Sequence, residues 1–493
     1  MIRLNNNKLT EYFQLKTKVE RKELGQFFTD PKIAQYMASM VHEIVGVEKI
    51  NVLDAGAGEG ILTSFAAQRL VDLGHTNIHA VLYEIDQDLL PVLHENMVYV
   101  KDKLKESNAT FSFEIRNKDF IMTRPDWREK NYHVSIINPP YFKISAKDSP
   151  YSGATLDLFT GNPNIYASFI AVVSACLAPG GQMVAIVPRS FTNGLYFKSF
   201  RYYLINRLSL SRIHIFKSRN NLFKNMGVLQ ENIICKYVKE PQRENIEIWS
   251  SVGIEDLSGS EKEFYSKELI FDTSTNLFFI RIPESTEDAN ILKRVEKWKN
   301  AFEDYGYFIS TGPIVEHRTK NYITNKTDLE NTVPLMRMHN IKPFQTCWTG
   351  KKEKDARFKL LDGYEKYITK NNVYVILKRF SSKDEKRRLV AGVHNPDEFE
   401  SDVIGLENHL NYIGQNKKEF DINEARGLAA LFNSTIMDRY FRSISGNTQV
   451  NATEIRLMKL PDKDKIIKIG SEIKKLEKIN QKNIDLIVNQ EIL

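Results

Sequence analysis

Short runs rich in β-branched residues alternate with longer stretches of helical period through the first half of the chain. Ile50–Leu53, His79–Tyr83, Phe111–Ile115, Val134–Ile137 and Met183–Val187 read as strands, and Gly60–Leu73, Asp88–Lys103 and Ile165–Leu177 as the helices between them. Strands and helices alternating at this spacing argue for an α/β fold, a mostly parallel sheet with helices on both faces. Ile213–Phe216 and Asn232–Tyr237 extend the sheet, and Ile246–Trp249 and Phe278–Ile282 read as late strands of the same domain. From about residue 286 the chain turns charged, aromatic and irregular, with turn signals at Thr311-Gly312-Pro313 and Asn395-Pro396. The expected organisation is a first domain over 1–285, a second of mixed α+β character over 286–460, and a C-terminal helix over 461–493. In that last segment Ile466, Ile469, Ile473, Leu476 and Ile479 recur at steps of three and four residues, one face of a helix.

The 493 residues leave room for two to four domains, and 42% hydrophobic with 27% charged residues is ordinary for a globular protein. No run of about 18 apolar residues reads as a membrane span, and Met1–Gln14 lacks the apolar core of a signal peptide, so a cytoplasmic location is expected. Cys176, Cys235 and Cys347 lie far apart, which excludes a disulfide framework and a CxxC metal site. No His/Cys cluster has ligand spacing, and no metal is implied. A net charge of +7 is a mild basic excess that nucleic acid would suit without being required by it.

The chemistry concentrates at strand ends. Asp54-Ala55-Gly56-Ala57-Gly58-Glu59-Gly60 follows the first strand and opens a helix. Glycines there permit a tight turn and close approach of backbone to a ligand. The third glycine of a dinucleotide fingerprint would fall at position 61, which is Ile61, so a pyrophosphate site is disfavoured. Asp54 ahead of the glycines suits a cationic, zwitterionic cofactor instead. Glu84, with Ile85 beside it, ends the second strand, where a carboxylate accepts both hydroxyls of a ribose. Asp119 and Phe120 end the third, an acceptor for an adenine amine and a ring to contact the base. After the fourth strand comes Asn138-Pro139-Pro140-Tyr141. Prolines lack N–H groups, so their carbonyls are free to point at a ligand. With the Asn138 amide oxygen and the flat Tyr141 ring, the motif describes a pocket for a planar amine donor.

In this order, the motifs resemble those of the gamma-class DNA adenine-N6 methyltransferases of restriction–modification systems. Leu24–Pro31, with Phe27 and Thr29, resembles the N-terminal cofactor motif of that class; Asp54–Gly60 resembles its S-adenosylmethionine loop; Asn138–Tyr141 resembles its catalytic motif. Asn164–Phe169, Val187–Phe191 and the segment from Leu222 to Ile234 resemble the downstream motifs, with Phe223 as a second stacking ring. The resemblance covers residues 24–240 closely and 246–460 only loosely. It implies a Rossmann-like, S-adenosylmethionine-dependent methyltransferase domain followed by a DNA target-recognition domain. It also implies that the substrate is an adenine flipped out of double-stranded DNA. Asp54–Gly58, Glu84, Ile85, Asp119, Phe120, Asn138 and Pro140 would then hold the cofactor. Asn138, Pro139, Pro140, Tyr141 and Phe223 would work on the base.

For DNA contact the basic stretch Lys378-Arg379-Phe380 and Lys383–Arg388, with Arg387 and Arg388 at its end, is expected to reach phosphates, and Arg337 and His339 base edges. Three other readings stand beside this one: an RNA or protein-glutamine methyltransferase sharing the amine pocket, a non-catalytic DNA-specificity subunit, and a fused nuclease. Asp464, Glu472 and Lys474 read as surface charge on the terminal helix, so a cognate restriction endonuclease is expected on another chain.

Overall fold

The computed structural model describes residues 28–123, 131–144, 149–161, 164–217, 231–325, 330–351, 354–381, 384–416, 419–446 and 449–492, with a few positions between 10 and 20. Its contacts divide the chain into two compact units, Met1–Glu284 and Ser285–Leu493.

In the first unit eight expected strands are present, β1 (Ile50–Ala55), β2 (Asn77–Tyr83), β3 (Thr110–Arg116), β4 (Tyr132–Ile137), β5 (Leu177–Pro188), β6 (Ser209–Phe216), β7 (Asn232–Val238) and β8 (Asn245–Ser251), and a ninth that the sequence reading did not foresee follows, β9 (Glu261–Ser266). Among the described residues they form one sheet in the order β3-β2-β1-β4-β5-β7-β6-β8-β9. The five strands β3 to β5 run parallel, and β7 lies antiparallel between β5 and β6. The helices α1 (Pro31–Ser39), α2 (Ile61–Asp72), α3 (Leu90–Lys105), α4 (Ile165–Cys176) and α5 (Lys198–Ile205) accompany this sheet. Every residue of α4 is buried, as its continuous apolar run requires. On the central strands Val52, Ile78, Ala80, Val134 and Val184 are buried with Ala66, Leu93 and Met97 of α2 and α3. This is the Rossmann-like architecture that the sequence led us to expect. The strand expected over Phe278–Ile282 does not form: the segment makes one isolated bridge, Ile280 to Phe271, and its backbone serves other partners instead. Ile280 N–H donates to the Thr192 carbonyl, and the Leu277 carbonyl accepts from the buried Arg201 guanidinium.

The second unit holds a six-stranded sheet with edges at Tyr307–Thr311 and Ile341–Lys342, and a five-stranded sheet with edges at Ile323–Thr324 and Ile368–Lys370. Helices follow, α6 (Thr286–Val295) preceding the sheets and α7 (Ile422–Asn433), α8 (Thr435–Ile444), α9 (Lys463–Lys474) and α10 (Gln481–Ile492) closing the chain. The single helix expected over 461–493 is thus two, α9 and α10. Ile466, Ile469 and Ile473 are buried as their spacing implies, but Ile479 is exposed in the connection. α9 packs on α7 at Gly427 and Gly470, where a Cβ on either would lie 1.8 Å from a carbonyl oxygen of the other helix. Among the described residues no helix is long and apolar enough to cross a membrane.

Candidate active site

A cavity of about 290 Å³ opens at the carboxyl ends of β1 to β4, the crevice where parallel α/β sheets bind ligands. Each strand delivers one piece. After β1 the loop turns through Gly56, Gly58 and Gly60 at φ +96°, +56° and +82°, left-handed values that a side chain would strain. A Cβ at Gly60 would also lie 2.7 Å from Leu93 and Met97. The turn brings Gly56, Ala57, Gly58 and Glu59 into the cavity wall.

After β2, Glu84 is 6% exposed and its two oxygens each accept one backbone bond, from Gly58 N–H and Asp86 N–H, both at 2.8 Å. Burial raises its carboxyl while these donors pull the other way. Each oxygen keeps a lone pair for a ligand hydroxyl. After β3, Asp119 accepts at Oδ1 from Ile121 and Met122 N–H and at Oδ2 from the Tyr151 hydroxyl at 2.6 Å. Phe120 lines the wall, its ring 5.1 Å from Tyr83 and 5.4 Å from Phe169.

After β4, Asn138 and Pro140 face the cavity. Asn138 Nδ2 donates to Thr29 Oγ1 at 3.1 Å, and its Oδ1 accepts from the Tyr141 hydroxyl at 2.6 Å. That hydroxyl also lies 2.8 Å from the Ile186 carbonyl oxygen. Burial pushes the Tyr141 phenol well above its ordinary range, so it stays protonated and donates. The amide is therefore held by both ends, with its oxygen fixed in orientation.

Several sequence expectations shift on this geometry. Thr29, Gly56, Ala57, Gly58, Glu84, Ile85, Asp119, Phe120, Asn138 and Pro140 line one cavity. Asp54 and Ala55 do not. Asp54 is buried with Oδ2 bonded to the Thr63 hydroxyl at 2.6 Å, and burial pushes its carboxyl up to about 7. It braces the start of α2 and does not face the ligand space. Pro139 and Tyr141 stand behind the lining, Tyr141 acting on Asn138. Phe27, Phe223 and the segment around Phe223 lie outside the described residues; Phe28 lines the wall beside Thr29. Sequence reasoning assigned no role to Glu59, Lys118, Phe142, Tyr151 or Phe169, all of which line the cavity. Glu59 lies inside the Asp54–Gly60 loop, and its carboxylate is the signal the sequence carries for it.

The wall carries three carboxylates, Glu59, Glu84 and Asp119, against one lysine, Lys118. Such a balance repels a pyrophosphate and favours a ligand with a positive charge and hydroxyl groups.

In the second unit the basic positions are largely engaged within the protein. Arg388 is 1% exposed; its Nε donates to Ser381 Oγ at 3.0 Å and its guanidinium lies over the Phe441 ring. It cannot contact phosphate from there, which corrects the expectation. Arg387 donates to Thr435 Oγ1 and faces Asp485. Arg379 donates to the Asn408 carbonyl and to Gln449. Lys378 is half-buried, and burial lowers its ammonium. Arg337 pairs with Glu316 at 2.6 Å, and His339 lies 3.4 Å from Asp355. Lys383 lies outside the described residues, and Lys386 is exposed.

Residues 62–223 match the model of the Eco57I restriction-modification methylase family. The chain is 32% identical over 479 residues to the type II methyltransferase M.PstI of Providencia stuartii, covering 96% of this chain and 93% of that one. It is 35% identical to the type II methyltransferase M.BsuBI of Bacillus subtilis, covering 94% and 93%. Among solved structures, the type IIL restriction-modification enzyme MmeI, determined in complex with DNA, is similar in fold with a TM-score of 0.57 at 10% identity, over 99% of this chain and 74% of that one. Near-complete coverage of both type II enzymes at this identity, together with a Rossmann-like domain that sets Asn138–Tyr141 at the fourth strand end, establishes that the chain belongs to the type II methyltransferases of restriction–modification systems.

Proposed function

We propose that this DNA methyltransferase transfers a methyl group from S-adenosylmethionine to the exocyclic N6 amine of an adenine flipped out of duplex DNA. The observation that carries the reading is the Asn138 amide, held at Nδ2 by Thr29 and at Oδ1 by Tyr141, at the edge of a cavity with acidic and aromatic walls. The residues present fit the cofactor. Glu84 keeps an open lone pair on each oxygen for the two ribose hydroxyls, Asp119 stands where an adenine amine would be met, and Phe120 and Phe169 offer faces to the purine. When bound, the cofactor supplies an electrophilic methyl on a sulfonium.

The chain's own task is to make a poor nucleophile competent. An adenine amine inside a duplex is out of reach, so the base leaves the stack, and an aromatic ring stacked on it would repay part of that cost, roughly 1–3 kcal/mol per stacked aromatic. The Asn138 Oδ1 and the Pro139 carbonyl would accept the two amine hydrogens, which localises the nitrogen lone pair and stabilises the positive charge that develops there. No strong general base is needed, since the ammonium formed on nitrogen is acidic. Protein glutamine offers a similar planar amine, but a second unit of 209 residues, Ser285–Leu493, is not needed to present one side chain. A cognate endonuclease would act as a separate chain on the same sequence.

The test is single-molecule sequencing of modified bases in DNA from cells expressing the chain. N6-methyladenine at one recurrent site supports the reading. Modified cytosine, or no modified DNA base from an active chain, refutes it.

A further inference from the structure

Glu59 is a carboxylate without an assigned role among the motifs of the glycine loop. It is 7% exposed and stands in the cavity wall. Among the described residues its side chain meets no hydrogen-bond donor and no cation, and burial alone pushes its carboxyl up to about 7. Its backbone is fixed on both sides: Gly58 N–H is spent on Glu84, Asn96 Nδ2 donates to the Glu59 carbonyl at 2.8 Å, and Gly60 N–H returns to Ala57 at 2.8 Å. The loop therefore holds the carboxylate in place at a cost. A buried ionised carboxylate without a partner is strongly unfavourable, so it either keeps a proton or receives a cation.

The other acids of the cavity wall are occupied. Glu84 accepts two backbone N–H groups, Asp119 accepts the Tyr151 hydroxyl and two backbone N–H groups, and Asp54, outside the cavity, holds Thr63. Under the function proposed above, Glu84 and Asp119 face neutral hydroxyls and a neutral amine, so neither is matched to a full positive charge. Lys118 also lines the wall, but no cation pairs with Glu59 among the described residues, and burial is the only influence on its carboxyl. Two positive groups remain on the cofactor, the sulfonium and the α-ammonium. The sulfonium must face Asn138 beyond β4, where the target amine arrives. A sulfonium carries no N–H, whereas the α-ammonium has three donors to offer a carboxylate that has none.

We infer that Glu59 is the counter-ion of the α-ammonium at the amino-acid end of S-adenosylmethionine. This rests on the cofactor reading above. It makes Glu59 a positioning residue: by anchoring the flexible end of the ligand it holds the methyl in line with Asn138, and the pairing survives turnover because the ammonium, unlike the sulfonium, is unchanged by transfer.

The experiment is calorimetric binding to the full chain without DNA. Wild type, Glu59→Gln and Glu59→Asp are titrated with S-adenosylmethionine and with an analogue lacking the α-amino group. Wild type should prefer the natural ligand by roughly ten- to a hundredfold, the range of a charge-assisted bond. Glu59→Gln should bind S-adenosylmethionine that much more weakly and no longer distinguish the two ligands, while Glu59→Asp should retain part of the discrimination. A role confined to loop structure would weaken both ligands equally. If Glu59→Gln discriminates as well as wild type, the assignment is overturned with the cofactor reading intact. If wild type binds neither ligand, both are overturned.

Discussion

Replacing Asn138 with alanine separates the base chemistry from everything else the site does. The side chain bonds Thr29 Oγ1 at 3.1 Å and the Tyr141 hydroxyl at 2.6 Å, and the latter keeps the Ile186 carbonyl as an acceptor when the amide is gone. The stability cost should be about 1–2 kcal/mol, the range for a lost buried hydrogen bond. Glu84, Asp119 and the glycine loop are untouched, so affinity for S-adenosylmethionine should change less than about threefold. The methyl-transfer step loses an acceptor preset toward the charge that develops on the amine. Removing one such group costs on the order of 100- to 1000-fold, about 2.7–4 kcal/mol. Tyr141→Phe keeps the ring and the carbonyl-facing volume but frees the amide to rotate, and should cost roughly tenfold. The assay is single-turnover incorporation of labelled methyl groups into unmodified genomic DNA, with cofactor affinity measured in parallel. An Asn138→Ala chain that transfers methyl groups at the parental rate would refute the reasoning. A loss of rate fully explained by lost cofactor affinity would refute it too, because the amide would then serve the cofactor.

Two further outcomes concern stability. The Glu59 and Asp54 carboxyls are each raised to about 7 by burial. Between the ordinary carboxylate range and pH 7 the folded chain therefore holds protons that the unfolded chain has lost, and stability should fall as pH rises through that window. Glu59→Gln should flatten the fall and stabilise the ligand-free protein above pH 7 by about 3 kcal/mol, the size of the shift; a melting curve with the wild-type pH dependence would contradict it. Arg388→Ala should destabilise the protein by about 3 kcal/mol, since it empties a buried site against Phe441 and Ser381, and leave the salt dependence of DNA binding unchanged. Lys386→Ala, at an exposed position, is the change expected to flatten that dependence, by about one unit of slope if it contacts a phosphate.

The sequence alone determined the α/β alternation, the order of the sheet-forming runs and the placing of chemical groups at successive strand ends. Those features are local: period distinguishes strand from helix, and a parallel sheet carries every strand end to one edge. Glu84, Asp119 and Asn138 could be named together for that reason. What tertiary structure decided is which side chains face the shared space. Asp54 and Glu59 flank the same glycines, yet left-handed turns at Gly56, Gly58 and Gly60 send Glu59 into the cavity and leave Asp54 on Thr63. Tyr151 reaches Asp119 across 32 positions, a contact that no spacing announces. In the second unit, Arg387 and Arg388 are chemically alike in sequence. Packing under Phe441 makes Arg388 part of the interior, because a guanidinium with a long apolar stem can be buried wherever hydrogen-bond acceptors and a ring receive it. The tight crossing of α7 and α9 at Gly427 and Gly470 is likewise a relation between distant residues, as two glycines 43 positions apart carry no signal until the helices meet.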